Sequence, residues 1–398
     1  MKFSPPKGTQ DLWNSKFYAY EFIAQTIIKV TQQYGFRQLR TPGFETIEIL
    51  AKNAGSEITN QIYTLKDKGR RNLGIKSDIT PAVARFIAGN SKSMLKPIKI
   101  SCYDRIYRYE RPQSGRNREI TQVNAELFGA KPGLVEADLL ACFYQCYQKL
   151  NLPEVKIEIG FRPLLEKYIQ LLEVSDNQVL PIIRLIDKKD KIGRQEFIKS
   201  MSLCGVTKNK LQRIQKIIDL KGNLTTVINQ AKTLSKDKQL NQYLQQLNVF
   251  TNYLKLYGIE NRFTLNLGLA RAFEYYTGII FEAKIPGSKF GSIGGGGRYD
   301  NLVKQYGGPD TPAIGFSIGI DRVYLVLQEF NRLKNISLPK INYYLISNCK
   351  TKSLLTLINQ AQKLRSLGQS VEIDILNKTP KEQLINAKKL QAEKIINF

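Results

Sequence analysis

The spacing of apolar residues changes several times along this chain, and each change predicts a different element. Residues 15–34 carry apolar side chains at helical spacing, at Phe22, Ile23, Ile27, Val30 and Tyr34. We therefore predict a helix that ends before Gly35. Residues 36–42 follow with the character of a strand that stops at Pro42. The chain thus opens with a long helix and an edge strand.

Residues 63–76 and 103–129 each show two strand-like stretches around a turn-forming segment. The second pair turns through Pro112 and Gly115, so both stretches predict antiparallel hairpins. Five arginines fall within residues 105–118. Arginine binds phosphate through paired charged hydrogen bonds. The second hairpin is therefore either a phosphate-binding loop or an exposed cationic surface.

Residues 163–256 are rich in Lys, Gln, Asn and Leu and have helical periodicity nearly throughout. We predict a helical insertion that divides a core of residues 1–162 and 257–332. Basic clusters in the insertion suit phosphate contacts, although a solvated helical domain has the same composition. Residues 338–398 alternate strand and helix patterns, which predicts a separate small α/β domain.

The charge balance adds a candidate partner. The 398 residues include 60 Lys and Arg against 34 Asp and Glu, a formal net charge of +26. Such an excess favours a polyanionic partner, first of all nucleic acid, unless a lysine-rich proteome makes most of its proteins basic. The first residues lack the apolar segment of a secretory signal, and no apolar run has the length of a membrane span. We expect a cytoplasmic protein without a membrane partner.

The chain contains no histidine and five cysteines. The usual His-containing zinc sites and Ser-His-Asp or Cys-His catalysis are therefore excluded, and we expect no metal site from His or Cys. Cys142 and Cys146 are four residues apart on a predicted helix, which indicates a packed face. Catalysis must then rest on carboxylates, cations, substrate groups or a bound metal, as phosphoryl and nucleotidyl transfer allow.

Four separated peptides resemble the sequence motifs of one family, the histidyl-tRNA synthetases, which are class II aminoacyl-tRNA synthetases. Residues 108–129 resemble motif 2, residues 271–278 the histidine-specific peptide, residues 294–300 the glycine-rich peptide, and residues 313–322 motif 3. The opening Gly-Thr-Gln-Asp-Leu of residues 8–12 is similar to the start of that family. The resemblance covers nearly the whole chain in the right order.

The resemblance implies an α+β fold with the antiparallel-sheet catalytic core of class II synthetases, interrupted by the helical insertion. It also implies homodimers formed through motif 1, which the predicted helix and strand of residues 15–42 resemble. Residues 338–398 are similar to the start of an anticodon-binding α/β domain. The family usually continues beyond the point that corresponds to Phe398, so we expect a trimmed domain or a weaker grip on the anticodon.

For the nucleotide, the resemblance implies a set of ATP-binding residues, namely Arg108, Glu110, Arg116 and Arg322. Within it, Arg108 would hold the α-phosphate, Glu110 would contact the adenine side, and Arg322 would hold the terminal phosphates. Arg271 would meet both the α-phosphate and the substrate carboxylate. The implied catalytic residues are therefore Arg108 and Arg271, with Mg²⁺ assisting.

For the amino acid, the resemblance implies a histidine pocket made of Asp78, Thr80, Gln122, Glu126, Arg271, Tyr275, Tyr276 and Tyr299. Two places depart from the family pattern. Lys76-Ser77-Asp78 stands where the family usually has Arg-Pro-Glu, and Ala272 replaces a glycine. Taken locally, Thr80 and Pro81 also fit the N-cap and the first position of a helix. A buried structural arginine is the alternative for Arg271.

The resemblance as a whole implies activation of histidine by ATP to histidyl-adenylate and its transfer to tRNA(His). Two alternatives come from other classes of protein. One is a histidine-sensing regulatory subunit of ATP phosphoribosyltransferase, to which the Asp-x-Thr form of residues 78–80 is similar. The other is an RNA-binding paralogue without activation chemistry. The arginines of the motifs argue against a pure sensor, which has no use for an ATP clamp.

Overall fold

The structure is a computed structural model that describes residues 3–52, 54–113, 115–271, 274–336, 338–347 and 351–398. The chain divides into two compact units, Met1–Asn335 and Ile336–Phe398. No helix among the described residues has both the length and the apolar character needed to cross a membrane.

The helices of the described residues follow the apolar periodicity of the sequence. Their bounds are α1 Asn14–Gln33, α2 Ile47–Ala51, α3 Gly55–Thr59, α4 Ile79–Asn90, α5 Leu134–Lys149, α6 Arg162–Gln170, α7 Asp176–Ile192, α8 Arg194–Leu203, α9 Lys208–Ile218, α10 Leu224–Lys232, α11 Lys238–Leu256, α12 Leu302–Gln305, α13 Ile320–Glu329, α14 Thr351–Ser366 and α15 Pro380–Lys389.

The strands of the described residues form three sheets. Their bounds are β1 Arg37–Gln38, β2 Phe44–Thr46, β3 Thr64–Lys66, β4 Asn72–Ile75, β5 Ile98–Tyr107, β6 Glu119–Phe128, β7 Lys156–Phe161, β8 Lys221–Gly222, β9 Phe263–Asn266, β10 Ile279–Lys284, β11 Gly294–Arg298, β12 Ala313–Gly319, β13 Tyr343–Ile346, β14 Val371–Ile373 and β15 Lys394–Asn397.

The main sheet has nine strands in the order β1-β5-β6-β12-β11-β10-β7-β9-β8. All its neighbours are antiparallel except the pairs β1–β5 and β7–β9. Strands β5 and β6 pair along their whole length, so the predicted arginine-rich hairpin is confirmed. The hairpin of β3 and β4 is confirmed as well, in a second sheet of order β2-β4-β3. The predicted α+β fold is confirmed.

Helices cover one face of the main sheet. Strand β6 shows this clearly, because its apolar and polar residues alternate. Val123, Ala125 and Leu127 are buried in the core that contains α1, α5 and α13, while the intervening polar residues face the other side. The same core continues into α6–α11, where α11 packs against α5 and α6. The helical segment thus shares its apolar interior with the sheet, and its standing as a separate domain stays a prediction.

Two local predictions are wrong in detail. The strand predicted over residues 36–42 is reduced to Arg37–Gln38, which pairs in parallel with β5. Leu39 still donates its N–H to the Ser101 carbonyl at 2.9 Å. No N–H is available at Pro42 to extend the pairing.

The start of α4 also differs from the local prediction. Asp78, and not Thr80, occupies the N-cap position of this helix. The Thr80 hydroxyl donates to Glu126 Oε1 at 2.6 Å instead. Threonine often caps a helix, but a buried carboxylate needs a hydrogen-bond donor. At Thr80 the second requirement prevails, and the hydroxyl serves Glu126.

The second unit is a three-stranded parallel sheet in the order β14-β13-β15, with α14 and α15 as its helices. Leu345 packs with Leu357 and Ala361 of α14 on one face, while Tyr344 packs with Ala387 of α15 on the other. This alternation confirms the strand and helix pattern predicted for the end of the chain. Cys349 lies outside the described residues.

Candidate active site

A cleft of about 280 Å³ opens on the face of the main sheet that carries the polar residues of β6. The resemblance to the family motifs predicted twelve binding residues, which are spread over some 240 positions of the chain. The structure brings all of them to the wall of this cleft, namely Asp78, Thr80, Arg108, Glu110, Arg116, Gln122, Glu126, Arg271, Tyr275, Tyr276, Tyr299 and Arg322.

Glu126 is a buried carboxylate at one end of the cleft, with 1% of its surface exposed. Its Oε1 accepts hydrogen bonds from the Thr80 hydroxyl at 2.6 Å and from Asn124 Nδ2 at 3.1 Å. The Tyr299 hydroxyl donates to Oε2. The three donors come from α4, β6 and the segment after β11, so three separate elements fix the orientation of one carboxylate.

The surroundings of Glu126 raise its pKa to about 7. Burial is the main cause, because the charged form loses its hydration. The hydrogen bonds from Thr80, Tyr299 and Asn124 act in the opposite direction, and the negative charge of Asp78 adds to the increase. Since the chain has no imidazole of its own, a carboxyl group provides the titration near neutral pH in this cleft.

Three tyrosines enclose the same end of the cleft. The rings of Tyr275 and Tyr276 are 4.9 Å apart, and those of Tyr275 and Tyr299 are 5.8 Å apart, both edge to face. The Tyr275 hydroxyl donates to Asp78 Oδ2 at 3.2 Å. Burial, and next the charge of Asp78, raise the pKa of Tyr275, so its hydroxyl stays protonated and acts as a donor. This end is a small aromatic chamber with two acidic groups.

The departure from the family pattern at Lys76-Ser77-Asp78 has a structural explanation for its first two residues. Lys76 is fully buried and pairs with Asp104, and its ammonium also donates to Thr41 Oγ1 at 3.1 Å. The Ser77 carbonyl accepts from Arg108 Nε at 2.8 Å. Lys76 and Ser77 therefore bind residues of strand β5 and of the segment after it, while Asp78 alone of the three lines the cleft.

The opposite end of the cleft is cationic. Arg322, at the start of α13, donates from Nε to the Gly115 carbonyl at 3.0 Å and from Nη1 to the Ser292 carbonyl at 2.5 Å. Burial lowers the pKa of Arg322, and the positive charges of Arg116 and Arg108 act in the same direction. These guanidinium groups repel one another, and a bound anion would relieve the repulsion.

Glu110 offsets this cationic charge only weakly. Its Oε2 is 4.0 Å from Arg116 Nη1, at the limit of an ion pair, and the Arg116 side chain is 44% exposed. An exposed pair at this distance contributes little. Arg116 is therefore free to turn toward a ligand in the cleft.

Arg271 lies between the two ends. Its Nη1 donates to the Phe281 carbonyl at 3.0 Å, and its Nε is 3.9 Å from Glu282 Oε1. Burial acts to lower the pKa of Arg271, but the neighbouring Tyr276 and Glu282 outweigh it and the net direction is upward. The guanidinium is thus permanently charged at the place where the acidic and cationic ends meet.

The glycine-rich peptide forms the floor of the cleft as strand β11, Gly294–Arg298, and leads toward α12. A Cβ atom at Gly295 would overlap the Arg271 guanidinium, and one at Gly315 of β12 would overlap the Glu126 carboxylate. The glycines are needed because side chains from other elements lie directly on the strand backbone.

The peptide that carries Arg271 is tied to the helical segment. Arg184 of α7 forms an ion pair with Glu274, next to Tyr275. Ala272, the replacement of the family glycine, lies outside the described residues. The helices and the cleft are therefore connected through a charged contact that the sequence did not predict.

The further residues that line the cleft and were missed include Asn124, Glu282 and Asp321. The alternation of β6 would have found Asn124, because residues 122, 124 and 126 share one face. Asp321 is buried, and its Oδ2 accepts from the Thr121 N–H at 2.7 Å. No local signal in the sequence marks that long-range contact.

The antiparallel sheet and its polar cleft are those of a class II synthetase core. A family model described as histidyl-tRNA synthetase matches residues 8–323. The histidine–tRNA ligase of Pyrococcus furiosus is 33% identical over 98% of this chain and 90% of its own length. That of Methanocaldococcus jannaschii is 32% identical over 99% of this chain and 91% of its own length. The chain belongs to the histidyl-tRNA synthetase family.

Solved structures agree with this assignment. The histidyl-tRNA synthetase of Nostoc sp. superposes with a TM-score of 0.80 at 26% identity, over 98% of this chain and 90% of that one. A Bacillus halodurans protein titled as an ATP phosphoribosyltransferase regulatory subunit/histidyl-tRNA synthetase gives a TM-score of 0.83 at 21% identity, over 100% and 98% of the two chains. At that identity the second likeness is one of fold.

Proposed function

We propose that this protein is a histidine–tRNA ligase, which activates histidine with ATP and transfers it to tRNA(His). One observation carries the proposal: a single cleft joins an acidic, aromatic chamber to a cluster of arginines, with Arg271 at the junction. The chamber suits a small cationic amino acid with a ring, and the arginines suit a polyphosphate. Membership of the family supports the same function.

The chamber would hold histidine by its two nitrogen-containing ends. Asp78 and Thr80, together with Gln122, would bind the α-ammonium group, because a carboxylate and neutral oxygens satisfy its donors. The ring would lie among Tyr275, Tyr276 and Tyr299 and reach Glu126.

In the first step, a carboxylate oxygen of histidine attacks the α-phosphorus of ATP. The bond from that phosphorus to the bridging oxygen breaks, and pyrophosphate leaves with its electron pair. No protein base is needed, because the nucleophile is already ionised. Arg108 and Arg271 would neutralise the charge that develops on the α-phosphate, and Arg116 and Arg322 would hold the leaving pyrophosphate.

Glu110 would contact the adenine side of the nucleotide. In the second step, a terminal ribose hydroxyl of tRNA attacks the histidyl carbonyl carbon. The bond from that carbon to the phosphate oxygen breaks, AMP leaves with the electron pair, and the hydroxyl proton passes to the departing phosphate. Mg²⁺ fits this cleft as an ion bound chiefly by substrate phosphates, because Glu110 and Glu282 offer carboxylates beside the arginines. It would supply further charge neutralisation during adenylyl transfer.

The remaining partners are supported by surface features. The net charge of +26 suits tRNA, and the helical segment of residues 163–256 would contact its acceptor arm. Phe17, Phe22 and Phe44 on and after α1 are 41%, 44% and 57% exposed, which suits burial against a second copy in a homodimer. A cytoplasmic location fits these partners.

The second candidate is a histidine-sensing regulatory subunit. The fold likeness to the Bacillus halodurans protein and the Asp78 substitution favour it. The cluster of Arg108, Arg116 and Arg322 argues against it, since these charges serve no purpose in binding histidine alone.

Histidine charging of a tRNA(His) transcript, with calorimetric binding of histidine in parallel, tests the proposal. We expect charging with histidine and with none of the other amino acids. We also expect charging to be lost in Arg271→Gln and retained in Arg262→Gln, an arginine outside the cleft. Histidine binding without charging or adenylate formation would favour the regulatory subunit. Binding of tRNA without histidine binding would favour an RNA-binding paralogue.

A further inference from the structure

One polar atom in the cleft is buried without a partner. Asn124 is 1% exposed and lines the cleft beside Glu126. Its Oδ1 accepts no hydrogen bond from any described residue. Leaving such an acceptor buried and unsatisfied is destabilising, so a native protein keeps one chiefly where a ligand or water completes it.

The orientation of the Asn124 amide follows from its neighbours. Nδ2 lies 3.1 Å from Glu126 Oε1 and 3.5 Å from Thr80 Oγ1. The same Glu126 oxygen accepts a hydrogen bond from the Thr80 hydroxyl. The atom of the Asn124 amide that faces this oxygen must therefore also be a donor. The nitrogen therefore faces Glu126, and the carbonyl oxygen is turned away from this network.

We propose that Asn124 determines specificity for a ring that carries an N–H, with its Oδ1 accepting that N–H. The inference rests on the proposed function, because it assigns the imidazole of histidine as the donor. Neutral imidazole has one N–H and imidazolium has two, so the ring always offers a donor to an acceptor in this position. Asn124 thus has two tasks: its nitrogen orients Glu126, and its oxygen accepts the N–H of the ligand ring.

A site built to hydrogen-bond an N–H rejects an analogue without it, because the analogue leaves the buried acceptor unpaired. The probe pair is histidine and β-(4-thiazolyl)alanine, in which sulfur replaces one ring nitrogen and leaves no N–H. The readout is the ratio of the two dissociation constants by calorimetry. A role of Asn124 in packing alone would weaken both ligands equally and leave this ratio unchanged, and the orientation of Glu126 is tested separately.

Two variants separate the two tasks. Asn124→Leu removes both the donor and the acceptor at similar volume, and we expect the preference for histidine to fall about tenfold. Asn124→Asp keeps an acceptor and loses the donor to Glu126, and we expect the preference to stay within about threefold of wild type. The control is Ser101→Ala, which removes another unpartnered buried oxygen from the adjacent strand β5. It should change neither ligand.

A ratio in Asn124→Leu within twofold of wild type, in protein with a wild-type circular dichroism spectrum, would overturn the inference. If Asn124→Leu does not fold, a tenfold loss of preference in Asn124→Asp would overturn it, since orientation of Glu126 would then explain the selectivity. Failure of the proposed function alone gives a different result, because wild-type protein would then bind histidine without forming histidyl-adenylate. Wild-type protein that does not bind histidine is a separate outcome. That outcome overturns both.

Discussion

The two ends of the cleft differ in how complete they are without a ligand. At the acidic end, three donors already satisfy the Glu126 carboxylate, and Tyr275 donates to Asp78. At the cationic end, Arg322 donates to two main-chain carbonyls of the described residues and is repelled by Arg116 and Arg108. The first end is preorganised, and the second is short of negative charge.

This difference suits two kinds of substrate. A small ring is selected by a rigid chamber, in which each polar atom has a fixed direction. A flexible polyphosphate supplies its own strong charges and can orient an exposed arginine such as Arg116 as it binds. The acidic end should therefore be sensitive to the removal of single atoms, and the cationic end to the removal of charge.

Arg271 joins the two ends, so its removal should have the largest effect. Arg271→Gln should lower kcat for histidine-dependent ATP–pyrophosphate exchange by about 100- to 1000-fold, as expected for loss of charge stabilisation in a transition state. Histidine binding by calorimetry should weaken far less. If histidine affinity and the exchange rate fell by the same factor, the role of Arg271 would be limited to keeping the chamber in shape.

Glu126 should make stability fall as pH rises. Its carboxyl keeps its proton to about pH 7 in the folded protein and loses it near 4.5 when unfolded, so the folded state binds the extra proton between these values. The free energy of unfolding should therefore decrease by about 3 kcal/mol across this range because of Glu126, and level off above it. Urea unfolding of Glu126→Gln should lack this component.

The control for that comparison is Ser317→Ala, which removes a hydroxyl and no titratable group from the cleft. Its unfolding free energy should follow the wild-type pH dependence. Wild-type and Glu126→Gln curves that run parallel from pH 5 to pH 8 would contradict a raised pKa at Glu126.

Anions should stabilise the cationic end. Pyrophosphate at about 100 times its Kd should add about 2.7 kcal/mol of stability, and thus raise the Tm by several degrees. Arg322→Gln should abolish most of the increase, whereas Arg262→Gln should keep it. An equal increase in both variants, measured by thermal melting, would show that pyrophosphate binds elsewhere.

The smallest effect is expected at Asp78, where the family usually has glutamate. Asp78→Glu should keep histidine affinity or improve it by up to about tenfold, because a longer arm still presents a carboxylate to the ammonium group. Calorimetry with histidine measures this directly. Complete loss of binding would count against this role of Asp78.

The sequence predicted the structure correctly where neighbouring residues determine it. The arginine-rich hairpin has alternating strands and a turn through Pro112 and Gly115, and both strands appear as predicted. The residues implied by family motifs also converge on one cleft. Their roles are proposals, since convergence fixes position and not chemistry.

Predictions failed where the cause lay in a distant part of the chain. Thr80 was expected at the N-cap of α4, but Asp78 occupies that position and the Thr80 hydroxyl donates to Glu126. Asn124 was missed although the period of β6 pointed to it, since the amide's orphan oxygen is visible only once its neighbours are placed. These contacts depend on tertiary structure and not on propensity.

The most direct test of the division between the two ends is the pair of KM values in ATP–pyrophosphate exchange, measured for Glu126→Gln and Arg322→Gln. The account predicts that Glu126→Gln raises the KM for histidine at least tenfold with little change in the KM for ATP, and that Arg322→Gln does the reverse. If each variant raised both KM values by the same factor, the cleft would act as one undivided site, and the account would be contradicted.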